Sequence, residues 1–268
     1  MPISRANGLD IYYEKAGVGP PLMLIHALPF NHNLWQYQVA SLSNRFTTYA
    51  VDLRGWGRSG KPRTPFSLGD MCADVMGVLD DEDVKGPVLL MGCSIGSKIA
   101  LKLACEQPDR ISGAILIGGN SGRPDFSRRI ADYRAQAKAG TLADYHRGHL
   151  RHGVTKQWAD TDLGSFIIEG FVDRDGKLDA ESIAQVFGAM EGSDLTEARR
   201  GCRVPILVVN GEFDSAFQGG AETAADIRGA QRVVVEGAGH CCFIEKPDRF
   251  DAIVRTFLTE KRLWPNAR

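Results

Sequence analysis

The chain has 268 residues, 43% of them apolar and 24% charged, with 32 Lys and Arg against 33 Asp and Glu for a formal net charge of −1. This composition excludes disordered and collagen-like chains, and at about 150 residues per domain the length allows one large domain or two small ones. Balanced charge gives no electrostatic reason to bind nucleic acid or an anionic membrane.

The N-terminal Met1-Pro2-Ile3-Ser4-Arg5 lacks the basic-then-apolar run of a signal peptide. Apolar runs such as 22–25 fall far short of the ~20 residues that span a bilayer. The six cysteines are scattered without a C-x-x-C pair, so a zinc knuckle is not indicated and a reducing cytoplasm is the expected setting.

Residues 9–13 alternate like an edge strand, and 17–21 form a turn cluster. Leu22-Met23-Leu24-Ile25 reads as a strand buried on both faces. Helical spacing follows over 33–42, then a strand over 47–53 running into the Gly-rich stretch 54–60. A helix is predicted over 68–80, a buried strand over 87–91, a helix over 95–106 and a strand over 111–117. From 121 to 200 only broken helical patterns appear. Strand periodicity returns over 204–210, a helix follows near 221–228, a strand over 231–235 and an amphipathic helix over 247–261. Alternating strands and helices imply an α/β fold with a mostly parallel sheet and right-handed crossovers. The 80-residue interruption is too long for a loop and is read as a helical cap inserted into a core of residues 1–120 and 201–268.

Gly92-Cys93-Ser94-Ile95-Gly96 lies between a predicted strand and a predicted helix, the setting in which G-x-S-x-G carries chemical meaning. The turn is too tight for bulky flanks. It would present Ser94 on strained backbone at a helix N-terminus suited to an oxyanion. A serine hydroxyl needs a base. Among six histidines, His240 follows the last strand on the small-residue loop 236–239 and is the candidate. His26 ends a strand beside the site, where a structural hydrogen bond or a substrate contact is expected of it. His146, His149 and His152, at steps of three, read as a solvated helix face, and no matching carboxylate suggests a metal site. The base in turn needs a carboxylate to fix its tautomer. Asp214, after the strand 204–210, is the candidate, with Glu212 its nearest competitor. Asp52 ends a strand at the same edge, where its neighbours Arg54, Gly55 and Gly57 suggest a loop brace.

These segments resemble the α/β-hydrolase fold, and more narrowly its small esterase and lactonase group, 3-oxoadipate enol-lactonase-like, with related C–C hydrolases. The resemblance runs through His26-Ala27-Leu28-Pro29, the stretch 52–59, the turn 92–96, Asn210-Gly211-Glu212-Phe213-Asp214 and Gly237-Ala238-Gly239-His240. It implies a catalytic triad of Ser94, Asp214 and His240, in that order, and an oxyanion hole from the backbone N–H groups of Leu28 and Ile95. The chain departs from the family at Ala27, where Gly is usual; a left-handed backbone there would cost on the order of 1 kcal/mol. A serine at the turn, where the dehalogenase and epoxide-hydrolase members carry Asp, implies acyl chemistry.

The expected function is a cofactor-free serine hydrolase of a small carboxylic ester or lactone, an acidic enol-lactone among the candidates. The alternatives are C–C bond hydrolysis of a β-diketone or ring-cleavage product, and a non-catalytic small-ligand receptor. Specificity belongs to the insertion. Residues 121–156 hold eight Lys and Arg against three Asp and Glu, and residues 157–200 hold four against ten. An arginine of the basic half, such as Arg128, could hold a substrate carboxylate; Trp158 and Phe166 could line an apolar pocket. No metal, nucleic acid or membrane is expected as a partner, and a homodimer is allowed.

Overall fold

The buried apolar runs of the sequence become the inner strands of one sheet. The computed structural model describes residues 2–5, 7–119, 121, 122, 124–174 and 178–266. Among them, eight strands are β1 (Ile3–Ser4), β2 (Ile11–Ala16), β3 (Pro21–Ile25), β4 (Thr47–Val51), β5 (Val88–Cys93), β6 (Ile111–Ile117), β7 (Ile206–Gly211) and β8 (Gln231–Val235). They lie in the order β1-β2-β4-β3-β5-β6-β7-β8. The pairs β1/β2 and β2/β4 are antiparallel and the rest are parallel.

Side chains alternate across the pleat, so each inner strand feeds two cores. Met23 and Ile25 of β3, with Leu90 of β5 and Val208 of β7, enter one cluster. Leu22 and Leu24, with Met91 and Val209, enter the other. That explains continuous apolar runs in place of the half-buried alternation of an edge strand. Helices cover both faces: α1 (Gln36–Leu42), α2 (Leu68–Asp81) and α3 (Ile95–Glu106) come first. After β6 follow α4 (Ser127–Ala139), α5 (Leu142–Arg151), α6 (Lys156–Ala159), α7 (Asp162–Arg174) and α8 (Ala180–Glu191). The chain ends with α9 (Phe217–Asp226), α10 (Cys242–Glu245) and α11 (Pro247–Glu260). Among the described residues no helix is long and apolar enough to cross a membrane.

Several boundaries differ from the sequence expectation for identifiable reasons. The strand expected at an edge over 9–13 lies over Ile11–Ala16 and is not at the edge: β4 pairs with it on one side, Tyr13 opposite Val51, and β1 on the other. The strand expected from Val204 starts at Ile206: Pro205 has no N–H for the ladder, and its carbonyl instead accepts from Ala114 N–H at 2.9 Å. The helix expected near 221 starts at Phe217, directly after the Asp214 turn.

The insertion's charge asymmetry resolves into ion pairs between its own helices. Arg134 of α4 meets Glu181 of α8 at 2.8 Å, Arg147 of α5 meets Glu169 of α7 at 3.0 Å, and Arg151 meets Asp160. Gly140, with φ 77°, ends α4 in the left-handed conformation that glycine tolerates.

Candidate active site

β5 passes into α3 through Ser94, whose backbone (φ 55°, ψ −113°) lies in a region that L-residues disfavour. The flanking glycines explain how the chain can turn there. A Cβ on Gly92 would sit 2.2 Å from the Gly96 carbonyl oxygen, and one on Gly96 2.1 Å from that of Ile25. The Ser94 N–H donates to Ile117 O at 2.8 Å, which fixes the turn to the end of β6. Ile95 begins α3, so its N–H belongs to the first helical turn, whose amides have no partner within the helix.

Asp214 follows β7 in a turn closed by its own N–H to Gly211 O (3.2 Å) and by Phe213 N–H to Ala238 O (2.9 Å). Its side chain is fully buried and accepts three hydrogen bonds: from His240 Nδ1 (2.7 Å), Asn210 Nδ2 (2.8 Å) and the Ala216 N–H (2.8 Å). Burial alone would raise the Asp214 pKa; the His240 bond and charge, with the other two donors, bring it below the ordinary carboxylate value. For His240, burial favours the neutral ring, but the Asp214 hydrogen bond and charge outweigh it and raise the pKa above 6.5. With Nδ1 donating to the carboxylate, Nε2 of the neutral ring is left as an acceptor. The His240 loop is anchored as well. Glu245 accepts from Gly239 N–H (2.7 Å) and from Thr155 N–H (3.1 Å), and Cys241 N–H donates to Gly153 O (2.7 Å).

The structure brings Ser94, His240 and Leu28 together as walls of one cavity of about 550 Å³, above the carboxyl ends of the parallel strands. Gly118, at the end of β6, also lines it: a Cβ there would lie 2.6 Å from the His240 ring. Leu28 belongs to a segment held from behind. The Leu53 N–H donates to His26 Nε2 (2.9 Å), which leaves the Nδ1 proton for the Ala27 carbonyl (2.9 Å). Burial pushes the His26 pKa down to about 4, so this bridge stays neutral. Asp52 accepts from the backbone N–H and Nδ1 of His32, both at 2.7 Å, and from Arg58 N–H at 2.8 Å. It braces the loops as expected. Ala27 is absent from the residues with positive φ, so the Gly-to-Ala departure carries no backbone strain.

Other expectations are corrected. His26 is fully buried and structural, and contributes nothing to the cavity wall. Phe166 is 76% exposed and Trp158, half-buried, packs against the core cluster of Leu22 and Leu24; neither lines the cavity. Arg128 lies in a neighbouring cleft, and it is Arg129 that reaches the Ser94 cavity. The helix carrying His146, His149 and His152 is not simply a solvated face: His146 is buried, and His149 and His152 line the cavity. Glu212 is exposed and accepts from Gly237 N–H (2.9 Å). Among the described residues no group of three or more His, Cys, Asp or Glu is placed to hold a metal. All six cysteines are free, and burial holds the Cys93 and Cys242 thiols well above their usual pKa.

Sequence reasoning missed Asn210 as a partner of Asp214, Gly118 as the space for the imidazole, and Arg129 and His149 as cavity walls. The Gly118-Gly119 pair ending a strand was a legible signal. The other three depend on packing.

Comparison with known proteins adds a separate line of argument. A family described as alpha/beta hydrolase fold matches residues 20–247. The pimeloyl-[acyl-carrier protein] methyl ester esterase of Yersinia pseudotuberculosis is 27% identical over 94% of this chain and 99% of its own. The crystal structure of the enol-lactonase from Burkholderia xenovorans superposes with a TM-score of 0.88 at 26% identity, covering 96% of this chain and all of that one. A malate-bound thermophilic esterase from Thermogutta terrifontis gives 0.82 at 25% identity, with 94% of each chain covered.

Proposed function

The chain belongs to the α/β-hydrolase family and is a hydrolase, and from that premise we propose that it cleaves a small carboxylic ester or lactone through Ser94, His240 and Asp214. The observation that carries this reading is the 2.7 Å bond from His240 Nδ1 to a buried Asp214, with the same imidazole facing the cavity that Ser94 lines.

Ser94 Oγ attacks the carbonyl carbon as His240 Nε2 takes its proton, and Asp214 stabilises the imidazolium that forms. The negative charge arising on the carbonyl oxygen is met by the N–H groups of Ile95 and Leu28; one such donor is worth roughly 10²–10³ in kcat. His240 then gives its proton to the leaving oxygen, which departs as an alcohol or stays tethered when a lactone opens. A water deprotonated by His240 attacks the acyl-enzyme and releases the acid. Residues 121–200 act as a cap, with α4, α5 and α8 supplying cavity wall. The esterase and enol-lactonase names among the relatives support the substrate class.

Turnover of a panel of p-nitrophenyl esters, lactones and β-diketones, with products identified by mass, tests the reading. Acid and alcohol, or hydroxy acid, should appear, and Ser94→Ala should lose at least ~10³-fold in kcat. A carboxylic acid and a ketone from a β-diketone with inert esters, or full activity in Ser94→Ala, would overturn it.

A further inference from the structure

The wall of the cavity that holds Ser94 and His240 carries one arginine, Arg129, and, among the described residues, no carboxylate. Three other arginines of the insertion are neutralised at short range: Arg134 by Glu181, Arg147 by Glu169, Arg151 by Asp160. Arg129 has no carboxylate partner among the described residues. Its guanidinium instead lies over two rings, 5.8 Å from the centroid of Phe126 and 5.7 Å from that of Phe187, and all three residues line the cavity. Stacking on aromatic faces holds a guanidinium in place while leaving its N–H edge free for a planar anion.

The surroundings make this a site for one negative charge. His149 stands on the same wall with Nδ1 2.8 Å from the Tyr133 hydroxyl. Burial, helped by the charge of Arg129, pushes its pKa down to about 3, so it adds hydrogen-bonding capacity and no charge. Arg129 is therefore the permanent cation of the wall. It also sits on the partition with a second cleft of about 700 Å³, which shares Phe126, Arg129, His149 and His152 with the first; Asp125, Asp132 and Asp144 line that cleft, so the side free of carboxylates is the one facing Ser94. A ligand reaching from Ser94 toward that partition meets the guanidinium at its far end.

We propose that Arg129 determines specificity by binding a carboxylate on the substrate, remote from the carbonyl that Ser94 attacks. This rests on the hydrolase reading of the Ser94 site and narrows it: the preferred substrates are half-esters or lactones that keep one free carboxylate. Arg129 is itself exposed, so a guanidinium–carboxylate pair there is partly screened and contributes roughly 5–10-fold in affinity, and it acts on binding before chemistry begins.

The test compares monomethyl esters of the dicarboxylic acids from glutaric to suberic with methyl esters of neutral monocarboxylic acids of equal chain length. Wild-type enzyme should favour the half-ester roughly 5–10-fold in kcat/KM, mainly through KM. Arg129→Met should collapse that ratio toward one. Arg129→Lys should restore part of it, as a point charge without the planar fork. No preference in the wild type, or an unchanged ratio in Arg129→Met, would overturn the proposal. Binding to the Ser94→Ala protein by calorimetry reads the same discrimination without turnover. If the half-ester binds tighter there and loses its advantage in Ser94→Ala/Arg129→Met, the carboxylate site stands even where the hydrolytic reading fails. Equal binding of both esters would remove the site whatever the chemistry.

Discussion

At the scale of the residue, the candidate site rests on what each side chain can do once its neighbours are fixed. His240 is useful as a base only in its neutral form, and Asp214 raises its pKa above 6.5 while setting the tautomer. The activity should therefore fall as pH drops through a value above 6.5. Asp214→Asn removes the charge and the acceptor that hold the Nδ1 proton. It should cut kcat by roughly 10³–10⁴-fold and move the acid limb of the kcat/KM profile to lower pH; an unshifted limb with near-normal kcat would contradict the assignment. Ser94, Asp214 and His240 were legible in the sequence because each is announced by its own local spacing: a glycine-flanked serine, a strand-end carboxylate, a histidine after small residues. His26 makes the structural hydrogen bond expected of it and not the substrate contact, and His149 leaves the solvated face expected of it, because spacing does not say where a ring points. His26 turns away from the cavity to accept from the Leu53 N–H, and His149 turns inward onto Tyr133. Arg128 and Arg129 are neighbours in sequence, but about 100° of helical rotation sends only one of them to the Ser94 cavity.

Elements matter here chiefly through how they are tied. Lys98 lies one helical turn beyond Ser94 on α3 and is 1% exposed. Its amine donates to Gly122 O and Ser193 O, both at 2.7 Å, and at 3.5 Å to Met190 O. Those carbonyls belong to the entry and exit of the insertion, so a single cation pins both ends of the cap to the nucleophile helix. Burial pushes its pKa down to about 8, which leaves it protonated at neutral pH. Lys98→Met would remove the donor that these part-buried carbonyls share and should cost about 1 kcal/mol, read from the urea midpoint; an unchanged midpoint would show that the link carries nothing. The positions along the chain of the inner strands and of the helices α2, α3 and α11 could be read from apolar periodicity, but the order of the strands in the sheet could not. The two-residue β1 could not, because it exists only through its pairing of Ile3 with Tyr12. Nor could the arrangement of the cap helices, whose weak patterns acquire meaning from ion pairs between segments far apart in the chain.

For the whole molecule, the insertion is part of the core it covers. Tyr133, Ile183 and Phe187 join the cluster of α2 and α3, while Leu150, Ile168 and Phe171 join that of the opposite sheet face. The base loop, too, is fastened to the insertion through Glu245 and Thr155. The fold thus brings residues 94, 214 and 240 to one rim of the sheet and roofs that rim with helices carrying Arg129 and His149. The central claim is that this convergence makes Ser94 a nucleophile. Incubation with a fluorophosphonate, followed by mass analysis of the peptides, tests it most directly. The account predicts a single adduct on Ser94 that forms at least ~10²-fold more slowly in His240→Ala; no adduct on Ser94, or one whose rate ignores His240, would contradict it.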